Sequence, residues 1–87
     1  MPTLYIPLQL REYTDGKSEI PATGATVREA LASTRDEHPE LLANLLDGHS
    51  LRTNFAVSVD GELRPLGLLA EVESTSEIHF VAALAGG

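Results

Sequence analysis

The 87-residue chain contains no cysteine. That excludes disulfides, thiolate catalysis and zinc sites built from thiolates, and it leaves no mark of an oxidising compartment. No segment reaches the roughly 18 consecutive apolar residues of a membrane span. The opening, Met1 to Leu10, interrupts its apolar positions with Pro2, Pro7 and Gln9, unlike a targeting segment with a basic start and a continuous apolar stretch. A cytoplasmic protein is therefore the expectation. Cations are also few, with 6 Lys and Arg against 13 Asp and Glu, a net charge of −7. This balance argues against nucleic acid or an anionic membrane as partner and favours a protein with a basic docking surface. There is no HExxH-like spacing, and the serines and threonines fall in turns and caps without a nucleophile motif. Neither a catalytic residue nor a metal site is expected from His38, His49 and His79, even with Asp36, Glu37 and Asp47 nearby in sequence.

What is present fits one small domain, with 43% hydrophobic residues and no repeat or low-complexity tract. Leu4, Ile6, Leu8 and Leu10 alternate with Tyr5, Pro7, Gln9 and Arg11, a period-two pattern that predicts a first strand with one face buried. Thr14-Asp15-Gly16 turns the chain, and Lys17 to Ala22 returns as the second strand of a hairpin. Thr26 and Glu29 form a capping-box pair ahead of Val27, Ala30, Leu31 and Thr34 at helical spacing. Pro39 ends that helix at His38 or earlier. Pro39 to Leu46 predicts a short second helix, packed through its leucines on the sheet edge and stopped at Asp47-Gly48. Phe55, Val57 and Val59 form a strand that turns at Asp60-Gly61 and returns from Leu63. Arg64 to Val72 reads as irregular, with Leu66, Leu68, Leu69 and Val72 available to close the core, and Ile78 to Val81 is the last strand. Two hairpins around one main helix, with a final strand, describe an α+β domain with a mixed sheet covered on one face. If the last strand lies beside the first, it occupies the middle of the sheet.

The sequence ends Ala83-Leu84-Ala85-Gly86-Gly87. Glycine has no Cβ, so two in succession form a thin, flexible wire around which another protein's active site can close. Residues 1–82 are expected to form the domain and 83–87 a flexible tail.

The order of elements and this ending resemble the ubiquitin-like β-grasp sulfur carriers, the family of the molybdopterin-synthase small subunit, the thiamin sulfur carrier and the cysteine-biosynthesis sulfur carrier. Thr26-Val27-Arg28-Glu29-Ala30-Leu31 looks like the family's helix start, His38-Pro39-Glu40-Leu41 like its helix exit, and Leu51-Arg52 precedes the Phe55 to Val59 strand. Ile6-Pro7-Leu8-Gln9-Leu10-Arg11 and the small-residue ending are most similar to the cysteine-biosynthesis type. Molybdopterin-synthase subunits more often carry a Pro-Pro pair ahead of the diglycine, absent here. One departure is Ser74-Thr75-Ser76-Glu77, where family members usually have a Gly-Asp turn.

The resemblance implies a carrier, not an enzyme, with no bound cofactor of its own. A partner adenylating enzyme would use ATP and magnesium to activate the Gly87 carboxylate. A sulfur donor would then leave a thiocarboxylate for a sulfur-acceptor enzyme such as a cysteine synthase, with a metalloprotease as a further partner that releases the product. Gly87 would carry the sulfur, while Gly86, Ala85 and Leu84 would give access. Six residues from Ala82 span roughly 20 Å when extended. Two alternatives share the activation step: a molybdopterin-synthase small subunit, and a ubiquitin-like modifier joined to lysine through Gly87. A third is a β-grasp binding domain with an inert tail. Docking is expected on the exposed sheet face, with Glu71, Glu73 and Glu77 meeting a basic surface and Leu66, Leu68 or Leu69 as anchor.

Overall fold

A computed structural model describes residues 1–82. Strands β1 (Thr3–Tyr5) and β2 (Glu19–Pro21) pair antiparallel, with Leu4 opposite Ile20. The opening hairpin is present, but its first strand stops well before Leu10. Pro7 has no N–H to give to the ladder, so pairing ends where the Ile6 N–H donates to the Ser18 carbonyl at 2.8 Å. The chain then winds into a 3-10 segment, Leu8–Thr14, in which Leu10 is buried and Leu8 is 75% exposed. The alternation of leucines thus continues past Ile6 without a strand beneath it. Asp15 and Gly16 close the segment in left-handed conformation, φ +56° and +82°, at the expected turn.

Helix α1 (Val27–Ala32) begins as predicted, with the Thr26 hydroxyl accepting from the Glu29 N–H at 3.2 Å. The Glu29 carboxylate reaches back to the Ala25 N–H at 2.9 Å, one residue before the position a capping box prescribes. Gly24, φ +146°, lets the incoming chain press on this first turn: a Cβ there would lie 2.5 Å from the Glu29 Cβ. The helix ends at Ala32, short of Pro39. Ser33 and Thr34 donate their hydroxyls to the carbonyls of Ala30 (2.7 Å) and Leu31 (2.8 Å), a local alternative to the helical ladder.

Helix α2 (Pro39–Leu45) has Pro39 in its first turn and buries Leu41, Leu42 and Leu45. It packs against the Leu8–Thr14 segment and adds its leucines to the core shared with the sheet. After it comes an element the sequence reading lacks, a small hairpin of β3 (Leu46–Asp47) and β4 (Ser50–Leu51) turning at Gly48, φ +67°, and His49. β5 (Phe55–Val59) and β6 (Glu62–Leu63) follow as expected, with Asp60 and Gly61 both at positive φ, the geometry of a type I′ turn. A 3-10 turn at Gly67–Leu69 leads to β7 (Glu77–Ala82).

The main sheet runs β2-β1-β7-β5-β6, with β7 parallel to β1 and antiparallel to β5. The last strand therefore lies in the middle of a five-stranded mixed sheet. Its inner face contributes Leu4, Ile20, Val57, Val59, Ile78 and Phe80 to a core completed by Val27, Ala30, Leu31, Leu41 and Leu45. Ser76 is buried and accepts from the Glu73 N–H at 2.8 Å, so a serine hydroxyl makes the turn ahead of β7.

Candidate functional site

Successive residues of a strand point to opposite faces, so burying Ile78 and Phe80 sends His79 and Val81 outward. The register assembles a row across the open face: Glu19, Tyr5, His79, Ser58 and Leu63, one from each of the five strands. Val81 lies beside Ala56 in the next row. The rings of Tyr5 and His79 stack, with centroids 4.2 Å apart and planes 6° from parallel. His79 Nε2 is 3.8 Å from the Glu77 carboxylate. Tyr5 titrates above its ordinary value near 10, first because of partial desolvation, then because of the negative charges of Glu19 and Glu77. Leu63, 68% exposed, and Val81, 40% exposed, make the face partly apolar.

The face ends at Ala82, paired with Phe55. The predicted site residues Leu84, Ala85, Gly86 and Gly87 follow and lie outside the described residues. The fold thus places their point of departure on a central strand, beside Val81.

Of the acidic residues expected on the docking face, Glu77 lies on it beside His79, but at the opposite end of β7 from Ala82, and Glu71 and Glu73 lie off it. Glu77 begins β7 and Ala82 ends it, a separation of about 17 Å at the rise of a strand. Glu71 and Glu73 share a cleft with Asp60 and Ser76 at the start of β7. There the Asp60 carboxylate accepts from the Glu77 N–H at 2.9 Å. Closeness in sequence misleads because an extended strand intervenes. Of the leucines expected as anchors, Leu68 is buried and does not protrude from the surface, whereas Leu66 and Leu69 are 69% and 61% exposed. The sequence reading missed Leu63, Val81 and the Tyr5–His79 stack. The alternation about Ile78 and Phe80 is the signal that exposes His79 and Val81; the stack needs the pairing of β1 with β7.

The histidines are dispersed. His38 is buried at the start of α2, His49 sits in the β3–β4 turn, and His79 is on the open face. Among the described residues no three His, Asp or Glu side chains are placed to hold a metal ion, and no helix is long and apolar enough to cross a membrane.

The ThiS family model matches residues 4–87. The chain belongs to the ThiS family. This agrees with the ubiquitin-like β-grasp sulfur-carrier resemblance read from its motifs. Three solved structures share this fold over nearly the whole chain. A chain of the Amycolatopsis orientalis BexX/CysO complex is 32% identical, with all of both chains covered and a TM-score of 0.88. Mycobacterium tuberculosis CysO is 20% identical, with 97% of this chain and 100% of that one covered and a TM-score of 0.87. Small archaeal modifier protein 1 of Methanosarcina acetivorans is 22% identical, with 99% and 95% covered and a TM-score of 0.80. Comparison with curated protein sequences gives no match.

Proposed function

We propose that this ThiS-family chain carries sulfur as a thiocarboxylate on Gly87 for the biosynthesis of a small sulfur-containing metabolite, cysteine being the foremost candidate. The observation that supports this most is the placement of β7: a central strand, held on both sides, leads into the sequence that ends Gly86-Gly87. A carboxylate is a poor electrophile and must first be activated. An adenylating partner holding ATP and magnesium lets a Gly87 carboxylate oxygen attack the α-phosphorus, with pyrophosphate leaving. A sulfur donor then displaces AMP. The resulting thiocarboxylate sulfur is the better nucleophile: in the site of an acceptor synthase it attacks an electrophilic substrate carbon as the substrate's leaving group departs, and a metalloprotease then hydrolyses the acyl link to the carrier, freeing the product and restoring the Gly87 carboxylate.

In this scheme residues 1–82 are the base that docks and 83–87 the arm that enters, with Leu84, Ala85 and Gly86 giving access. The chain catalyses nothing, binds no cofactor and works in the cytoplasm. The open sheet face, with Leu63, Val81 and the Tyr5–His79 stack, is the docking surface closest to the arm. That a similar chain occurs in a BexX/CysO complex supports docking to a partner enzyme. Conjugation of Gly87 to lysine is the second reading, prompted by the likeness to an archaeal modifier protein.

Intact-mass spectrometry of the chain incubated with its activating enzyme, ATP and sulfide tests the proposal. The expected result is replacement of one oxygen by sulfur at Gly87. Deleting Gly87 is expected to abolish loading while leaving thermal unfolding unchanged. Loading of the truncated chain would refute the assignment, and lysine conjugates without sulfur would favour the modifier.

A further inference from the structure

A second recognition surface lies on the helical side of the molecule. Arg28, Leu31, Ala32 and Arg35 follow one another at helical spacing, so α1 and the turn after it present two guanidinium groups along one stripe with apolar residues between them. The β3–β4 hairpin folds back opposite this stripe and adds His49 and Leu46. Between them is an open cleft of about 220 Å³, floored by Leu31, Leu42 and Leu68.

Three features define its occupant. The volume lies below the roughly 300–1,000 Å³ of small-molecule and cofactor sites, and suits one or two protruding side chains. The floor is apolar, so the group that enters is aliphatic. The rim is basic in a chain whose net charge is −7, and it holds two of the six Lys and Arg. Among the described residues ion pairs form at Arg64–Glu62 and His79–Glu77; neither rim arginine takes part in one. Among the described residues no carboxylate, including the sequence neighbours Glu29, Asp36 and Glu37, forms an ion pair with either guanidinium group.

We propose that this cleft docks an acidic segment of a partner protein, with an aliphatic side chain on the Leu31, Leu42 and Leu68 floor and flanking carboxylates on Arg28 and Arg35. Guanidinium forks match carboxylates bidentately, and a small pocket filled by one side chain is the usual form of an interface anchor. The cleft is on the side of the sheet covered by α1, so the partner held here leaves the open face free.

The test is titration of the full chain, isotopically labelled, with the blocked peptide Asp-Leu-Asp-Glu and with Asn-Leu-Asn-Gln and Lys-Leu-Lys-Lys as controls, followed by NMR. Shifts at Arg28, Leu31, Arg35, Gly48 and His49 are expected with the acidic peptide and not with the controls. They should weaken at least about fivefold in R28E/R35E and on raising the salt from 50 to about 500 mM, as screening requires. Matching thermal unfolding of R28E/R35E and the parent shows that the variant is folded; R28Q/R35Q provides a milder change if it is not. Equal binding of the neutral or basic peptide, absence of shifts, or shifts that survive the arginine changes would overturn the proposal. So would acetate or phosphate reproducing the full pattern, because a free anion would then suffice.

Discussion

The two faces of β7 are made from neighbouring residues and have different tasks. Ile78 and Phe80 point inward, at 0% and 3% exposure, and fasten the strand to the core. His79 and Val81 point outward, where they add little to stability and define the surface beside the departing tail. A strand can separate stability from recognition in this way because its side chains alternate with period two. The helical side differs in origin: its basic cleft joins a stripe of α1 to a hairpin distant in sequence.

The contrast is broken most severely from the inside. Phe80→Ala removes a buried ring and is expected to cost about 3–5 kcal/mol, a large part of the stability of a domain of this size. Chemical denaturation measures it; a loss below about 1 kcal/mol would mean that the inner face does not hold the strand. Val81→Asp, one residue on, should change stability by less than about 0.5 kcal/mol. The same change should slow loading by the activating enzyme about tenfold, because a charge enters a partly apolar docking face. Unaltered loading kinetics would remove Val81 from the proposed surface.

The smallest effect concerns Tyr5. Partial desolvation and the charges of Glu19 and Glu77 raise its folded pKa above the unfolded value near 10. Its contribution to stability is thus fully present below pH 10 and is lost as pH rises through the folded pKa. Melting curves between pH 9 and about 11.5 should show a steeper decline for the parent than for Tyr5→Phe. Coincident slopes would indicate that the open face does not perturb this phenol.

Where local rules and tertiary context agree, the fold is legible in the sequence. Asp60-Gly61 demands two positive φ angles and receives them. Thr26 caps α1, and Phe55, Val57 and Val59 alternate into the core. The reading departs from the structure where a pattern has two solutions. The leucines from Leu4 to Leu10 fit a long strand, but Pro7 removes a ladder donor and a 3-10 segment replaces the second half. Asp47-Gly48 fits a helix stop, but Gly48 also allows the tight β3–β4 turn. Glu71, Glu73 and Glu77 show the limit for the site, since nearness along the chain is not nearness in space once a strand of six residues lies between.

By itself the sequence determined the order of elements, the capped helix, the tight turn at Asp60-Gly61 and the diglycine ending, because each depends on backbone preferences and side-chain spacing within a few residues. The tertiary structure decided that β7 lies between β1 and β5, that Tyr5 stacks on His79, and that Arg28 and Arg35 face His49 across a cleft. Those relations join residues far apart in the chain. They arise from burying the inner faces of the sheet and α1 together, which local propensity cannot specify.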